Sequence, residues 1–159
     1  MRPLVLLSAV LFVLISLTPA PAKTPYLSAD ELQGEAQRGF GEILDLWRDG
    51  RYDLLYDRTI AGGKGSKEQF ARKLAAAGKK PACCWEKMQE VKVSVKNDYT
   101  VTLKAKVGME GEGAGTDYVT RSFRLQKEDG VWCISQSDIF SLAGERKKKH
   151  SKSKKRTDQ

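Results

Sequence analysis

Three polar residues near the carboxyl end of the chain have types and spacing that suit ligand chemistry: Arg121, Gln136 and Asp138. A two-residue turn at Asp129-Gly130 would place Arg121 opposite Asp138 on the apolar face of one hairpin. Polar groups on a buried face must be paired or must serve a ligand. The pattern therefore predicts a pocket floor where Arg121 holds an anionic group and Asp138 orients it. An ion pair at the open end of the sheet, without a ligand, is the alternative.

Aromatic side chains supply the wall of this predicted pocket, and they are Trp47, Tyr52, Tyr56 and Trp132. Isomerase-type chemistry there would need a carboxylate base and, as oxyanion donors, a Tyr and a protonated carboxylic acid. No second carboxylate stands at an inward strand position, and the one histidine, His150, lies in the tail. No catalytic residue, cofactor or metal site is therefore predicted, because catalytic triads need a histidine and metal sites need clustered ligands.

The chain has three cysteines, Cys83, Cys84 and Cys133. An odd count leaves a thiol unpaired, and an oxidising compartment favours a disulfide. Cys84 and Cys133 share outward strand parity and are the disulfide candidates, provided that the segment before Trp85 folds over the sheet edge. A bridge between the adjacent Cys83 and Cys84 would strain the peptide that joins them.

The positive charge of the chain is concentrated near its end. Of the 28 Lys and Arg residues, Arg2 is at the start and eight lie between 146 and 156, which leaves 19 to balance 19 of the 20 acids. A charged arm of this kind predicts an interaction with an anionic surface, through Arg146, Lys147, Lys148, Lys149, Lys152, Lys154, Lys155 and Arg156. The expected partner is an anionic envelope surface or polymer. Extracellular DNA is the weaker alternative, because no aromatic residue of the tail is available for base stacking. The non-functional alternative is a solvated extension that binds no partner.

Residues 1–22 have the pattern of a signal peptide. Arg2 precedes an apolar run from Leu4 to Leu17, and Ala20-Pro21-Ala22 fits a small-residue cleavage site near Ala22. The run is shorter than the roughly 20 residues of a spanning helix, so a retained anchor is the lesser alternative. The sequence therefore predicts export to a periplasm or to the medium, followed by a linker at 23–28.

Helical patterns occupy the first half of the remaining chain. Ser28 and Glu31 form a capping box, followed by a helical stripe of Leu32, Ala36, Phe40, Ile43 and Trp47. Glycines 34, 39 and 41 interrupt this helix, which indicates either close packing or a weak helix. A second short helix follows from 52 to 59, and a third begins at a cap on Ser66.

Strand patterns occupy the second half. Valines 91, 93 and 95 alternate with polar residues, as do apolar residues 101, 103, 105 and 107. Pairing Val95 with Val101 puts both apolar sets on one face and requires a three-residue connection, 97–99. The second hairpin pairs Leu125 with Ile134, and the glycine-rich stretch 108–115 links the two hairpins. The order predicts an α+β domain at 29–143, with three N-terminal helices on a curved four-stranded antiparallel sheet, and a disordered tail at 144–159.

The last hairpin, FRLQKEDGVWCIS at 123–135, resembles the end of domains in the nuclear-transport-factor-2-like superfamily, which includes SnoaL-like cyclases and ketosteroid isomerases. The resemblance covers roughly 29–142. It implies a cystatin-like cone with a cavity between sheet and helices, and it leaves open a homodimer through the outer sheet face. Members catalyse reactions, bind ligands or assemble, so the fold does not supply an activity.

These observations favour an exported, non-enzymatic module. Its cone would hold a small apolar or anionic ligand, or would be filled and serve assembly, while its tail meets an anionic surface. The alternative is a small isomerase or cyclase-type enzyme that works in the cone.

Overall fold

The computed structural model describes residues 27–60, 63, 65–111, 113 and 115–144. Its elements in chain order are α1 (Ala29–Arg48), α2 (Tyr52–Asp57), α3 (Lys67–Ala76), β1 (Lys80–Pro81), β2 (Gln89–Asn97), β3 (Thr100–Glu110), β4 (Thr116–Glu128), β5 (Val131–Ile134) and α4 (Gln136–Leu142). The predicted signal peptide and the eight basic residues of the tail lie outside the described residues.

Helix α1 begins at the predicted capping box. The Ser28 hydroxyl accepts a hydrogen bond from the Glu31 amide at 3.3 Å, and the Glu31 carboxylate accepts one from the Ser28 amide at 2.8 Å. The hydrogen bonds that the Glu31 carboxylate accepts from the Ser28 amide and hydroxyl hold the pKa of Glu31 below its ordinary value. The residues of the predicted stripe are all buried: Leu32, Ala36, Phe40, Ile43 and Trp47. The cap and the stripe thus fix both the start of α1 and the face that it turns to the sheet.

The sheet is antiparallel throughout and has β3 at its centre. Strands β1 and β2 pair with one edge of β3, and β4 and then β5 follow on the other side. The predicted register is confirmed, because Val95 pairs with Val101 and Leu125 with Ile134. The predicted three-residue connection is wrong: Asn97 pairs with Thr100, and a register irregularity follows Val95. The extra residue forms a bulge in β2 and the turn shrinks to two residues.

The helices cover one face of the curved sheet, which confirms the predicted α+β arrangement. The inward side chains of β3 and β4 alternate along the strands and meet apolar side chains of α1, α2 and α3. Together these two layers bury one contiguous core, whose largest fully enclosed side chains are Trp47, Phe40, Phe123, Ile43, Leu44, Leu55, Leu74, Leu103, Met109, Leu125, Ile134 and Ile139.

The end of the chain differs from the prediction. The last strand stops at Ile134, and residues that were predicted to continue it form α4 instead. Ser135 causes the change, because its hydroxyl accepts the Asp138 amide at 3.1 Å and donates to the Asp138 carboxylate at 2.7 Å. A serine whose hydroxyl accepts a hydrogen bond from the backbone amide three residues later is a signal for the start of a helix.

The segment 82–86 lies against the outer face of the sheet between β1 and β2, and Lys87 and Met88 then turn back to contact α1. A Cβ atom on Gly108 would overlap the Glu86 carbonyl oxygen and would stand 3.2 Å from the Ala82 Cβ. Only glycine permits this approach of loop backbone to strand backbone. The loop therefore lies on the side of the sheet opposite to the helices, which we call the outer face.

Candidate functional site

The described side chains between the sheet and the helices pack into one buried core. Along β3 the inward residues 101, 103, 105, 107 and 109 are all buried in the core. Among the described residues the buried polar side chains are Thr59, Thr100 and Gln136, which carry no charge. Glu35 of α1 and Lys127 of β4 form a part-buried ion pair at 2.7 Å between the helix and the sheet.

Arg121 and Asp138 do not form the predicted pair. Arg121 lies on the inner face, as predicted, opposite Ala105 at the open end of the sheet. Its side chain is exposed, and its guanidinium donates to the Ser141 hydroxyl of α4. Asp138 is engaged with Ser135 at the start of α4. The prediction that these two residues face each other is therefore wrong, because α4 replaces the strand on which it depended.

Gln136 is buried and bonds to another element of the core. Its side-chain amide lies 3.4 Å from the Thr59 hydroxyl, which in turn donates to the Tyr56 carbonyl at 2.7 Å. Strand β5 is close by, since the Ile60 amide donates to the Ile134 carbonyl at 2.9 Å. Gln136 thus ties α4 to the end of α2 rather than facing a ligand.

The four aromatic residues of the predicted wall separate into two groups. Trp47 and Trp132 are buried in the core, and neither indole N–H meets an acceptor within the described residues. Tyr52 and Tyr56 are half-buried on α2. The Tyr56 hydroxyl donates to the Gly65 carbonyl at 3.1 Å. Trp47 and Trp132 therefore serve packing, and the Tyr56 hydroxyl closes a loop.

The cysteines pair differently from the prediction. A disulfide joins Cys83 and Cys84, and Cys133 is a buried free thiol, so the candidate bridge between Cys84 and Cys133 is wrong. Cys83 and Cys84 lie in the loop that crosses the outer face, and Cys84 has a positive φ of 60°. Burial raises the pKa of the Cys133 thiol. A neutral, enclosed thiol is a poor nucleophile.

An open groove of about 560 Å³ lies between α1 and the end of the crossing loop. Its lining includes Gly41 and the ion pair of Asp45 with Lys87, which are bonded at 2.6 Å. In the described part of the chain, no group of three or more His, Cys, Asp or Glu side chains could hold a metal ion. No described helix is long and apolar enough to cross a membrane.

The outer face of the sheet carries basic residues on three adjacent strands. Lys92 pairs directly with Lys104, and Arg124 pairs with Thr102, so Lys104 and Arg124 are diagonal neighbours. Such neighbours lie about 7–8 Å apart. Alternate residues of a strand point to the same face of the sheet. The outward residues of these three adjacent strands therefore form one basic cluster.

The aromatic residues near this face have different surroundings. The Tyr118 hydroxyl donates to Glu86 at 2.9 Å, a bond that raises the pKa of Tyr118, and its ring lies 4.7 Å from the Lys106 ammonium. Trp85, which precedes Glu86 in the crossing loop, is 72% exposed. Trp85 is therefore a large, exposed apolar group in the loop that brings Glu86 onto the outer face.

Comparison with known proteins gives a fold and no activity. No protein-family model matches the chain, and no curated protein matches it. The chain is similar to a crystal structure from Nostoc punctiforme, described as a protein of unknown function with a cystatin-like fold. The TM-score is 0.51 at 12% identity, over 69% of this chain and 89% of that one.

The fold is cystatin-like. The 1.8 Å structure of Aln2 from a Streptomyces species also matches, with a TM-score of 0.48, 16% identity, and coverage of 74% of this chain and 98% of that one. The similarity to the Nostoc punctiforme structure, at 12% identity, shows architecture alone. The cystatin-like arrangement of helices over a curved sheet accounts for the buried inner face and leaves the outer face to solvent.

Proposed function

We propose that this chain is an exported, non-catalytic assembly module of the nuclear-transport-factor-2-like kind, held at an anionic surface by its basic tail. The observation that carries the proposal is the packed apolar core that the described residues form between the sheet and the helices. A cone that binds or transforms a small molecule needs space and at least one positioned polar group. Here large apolar side chains occupy that space, and the described buried polar residues are neutral.

The family assignment rests on two features. The fold is cystatin-like, and the last hairpin, 123–135, resembles the end of nuclear-transport-factor-2-like domains. Its register supports the resemblance, since Lys127 pairs with Trp132 and Leu125 with Ile134.

The predicted pocket gives no support to the small-enzyme alternative. That alternative required Arg121 and Asp138 to meet on the floor of a cavity, and they have separate partners, Ser141 and Ser135. No charged side chain of the described residues is fully buried. The part-buried Glu35 and Lys127 are bonded to each other, so neither is a free acid or base for general catalysis. The module therefore acts through its surface and its tail.

Two measurements test the proposal. Native mass spectrometry of the protein purified from its own host should give the mass of the polypeptide alone, and a small molecule that survives purification would contradict a filled interior. Sedimentation with phosphatidylglycerol vesicles should carry the full-length protein down at low salt and release it as salt is added.

A tail variant provides the control. Replacing the eight basic residues between 146 and 156 by Gln should abolish most of this sedimentation, because each Lys or Arg near an anionic bilayer contributes about 1 kcal/mol. Equal sedimentation of the wild type with neutral phosphatidylcholine vesicles would refute electrostatic attachment.

A further inference from the structure

We propose that the outer face of the sheet is a second docking surface, which lays the domain on an anionic lipid bilayer with Trp85 at the membrane interface. The surface consists of Trp85, Lys92, Lys104 and Arg124. The inference rests on the proposed function, since both place the protein at an anionic surface. It differs by assigning part of the binding to the folded domain and by fixing the orientation of that domain.

The basic cluster has uncompensated charge. Lys92 and Lys104 are direct cross-strand partners, and like charges at such positions destabilise a sheet. Neither they nor Arg124 has an ion-pair partner among the described residues; the ion pairs there involve other cations. The repulsion between Lys92 and Lys104 weakens the fold, and an anionic surface that neutralises the two charges removes this cost.

Two acids of this face, Glu90 and Glu86, have side-chain partners among the described residues. Glu90 lies 3.7 Å from the Lys106 ammonium, and Glu86 accepts hydrogen bonds from Tyr118 and Thr116. Glu86 keeps its negative charge, because its donors are neutral hydroxyls. Lys92, Lys104 and Arg124, set against Glu86 and the Glu90–Lys106 pair, therefore leave an excess of two positive charges. The opposite side of the molecule differs, since α1 bears five acidic and two basic residues.

Trp85 supplies an apolar anchor at one end of the cluster. Its loop is pressed onto the outer face at Gly108, where a Cβ atom would overlap the Glu86 carbonyl oxygen. Gly108 is four residues from Lys104 along β3, which corresponds to about 13 Å. An exposed Trp beside basic residues matches the interface of a bilayer, where indole rings sit at the level of the headgroups.

A bilayer fits this surface better than a single-stranded nucleic acid. Base stacking uses aromatic rings that follow one another along a groove. Here the two strongly exposed rings lie toward opposite ends of β3, Trp85 near Gly108 and Tyr99 in the turn before Thr100. The basic residues spread over three adjacent strands rather than along a track. A two-dimensional patch of this kind suits a two-dimensional array of phosphate headgroups.

Intrinsic fluorescence tests the orientation directly. Trp47 and Trp132 are buried, at 1% and 2% exposure, so a change in tryptophan emission on binding reports on Trp85. The full-length protein with phosphatidylglycerol vesicles should show a blue shift and quenching by brominated lipid. The variant Trp85→Ala should lose both signals, and its affinity should fall severalfold.

Matched charge variants test the cluster. Replacing Lys92, Lys104 and Arg124 together by Gln should weaken vesicle binding by about fivefold per charge, on the order of a hundredfold in total. The control replaces three exposed cations of the helical side by Gln and so removes the same net charge: Arg38, Arg51 and Arg72. That control should change binding by less than about threefold, because charges beyond a Debye length are screened. Circular dichroism checks that each variant is folded.

The outcomes separate the two proposals. If the wild type does not bind anionic vesicles, the proposed function itself fails. If the wild type binds but both triple variants bind equally and Trp85 emission does not shift, the tail alone attaches the protein and the docking face is refuted. Formation of a stable dimer that shields Trp85 in the absence of lipid, detected by light scattering, would assign the face to a second copy and would also overturn the inference.

Discussion

The glycines of helix α1 give a sharp test of how that helix packs on the sheet. A Cβ atom on Gly39 would stand 2.8 Å from the Trp132 Cβ and 2.9 Å from its Cδ1. A Cβ on Gly41 would meet its nearest neighbours, the ends of Lys87 and Met88, at 3.9 Å. The two positions are two residues apart in one helix, so they share helix propensity and differ in surroundings.

The expected free energies follow from two opposing effects. Replacing Gly by Ala inside a helix stabilises it by about 1 kcal/mol. At Gly41 nothing opposes this gain, and Gly41→Ala should raise the unfolding free energy by up to that amount. At Gly39 the new methyl overlaps Trp132, which is fixed by its pairing with Lys127. Overpacking costs about 1–3 kcal/mol, so Gly39→Ala should be neutral or destabilising by up to about 2 kcal/mol.

Urea unfolding of the full-length protein, followed by far-ultraviolet circular dichroism, measures both variants. We expect them to differ by about 1–3 kcal/mol, which corresponds to several degrees in thermal midpoint at about 4 °C per kcal/mol. Gly34→Ala is the control, because the nearest atom there belongs to the flexible Arg38 guanidinium at 3.4 Å. Equal stabilisation at Gly39 and Gly41 would refute the close contact between α1 and β5.

Three further predictions concern the sheet, α4 and the free thiol. Lys92→Thr should stabilise the fold by about 0.2–1 kcal/mol at low salt by removing the repulsion from Lys104, and the gain should shrink as salt is added; a salt-independent gain would point to strand propensity instead. Ser135→Ala should cost about 1 kcal/mol in urea unfolding through loss of the cap of α4, and an unchanged stability would contradict that cap. Burial raises the pKa of Cys133 in the folded state, which favours the neutral thiol there. The contribution of Cys133 to the unfolding free energy is therefore complete below the ordinary pKa of 9.0 and is lost as the pH rises through the folded pKa. The unfolding free energy of the wild type should therefore fall more between about pH 7 and pH 10 than that of Cys133→Ala, and parallel profiles would contradict this.

The elements with strong local signals could be predicted from the sequence. The Ser28–Glu31 box set the start of α1, and the periodic apolar residues set its buried face. Strand register followed from the same logic, because a slip of one residue would have reversed the faces. These features depend on residues that are close in sequence or that alternate regularly, so one chain suffices to find them.

The prediction of the candidate site was wrong because a strand signal and a helix signal overlap after Ile134. The hairpin register, extended past Ile134, would put residues 136, 138 and 140 on the inner face, yet Ser135 and Asp138 also form a helix cap, and the cap prevails. An extended register is weak evidence for a strand, whereas a cap satisfies backbone amides that would otherwise lack partners. A change of conformation in this short segment was enough to separate Arg121 from Asp138.

The outer face was missed for a different reason. The parity of β2, β3 and β4 placed Lys92, Lys104 and Arg124 outward, but the cluster depends on which strands are neighbours and on the register between them. The position of Trp85 depends on a loop that crosses the sheet at Gly108. Long-range placement of this kind has no local signature in the sequence.

The unequal lengths of β4 and β5 have a consequence for backbone dynamics. Strand β5 pairs with β4 only from Leu125 to Glu128, while β3 pairs with β4 back to Thr116. Along 116–124, no described strand hydrogen-bonds to the other edge of β4. Successive amides of a strand point to opposite edges, so protection from hydrogen exchange should alternate residue by residue along this stretch and become continuous where β5 begins to pair.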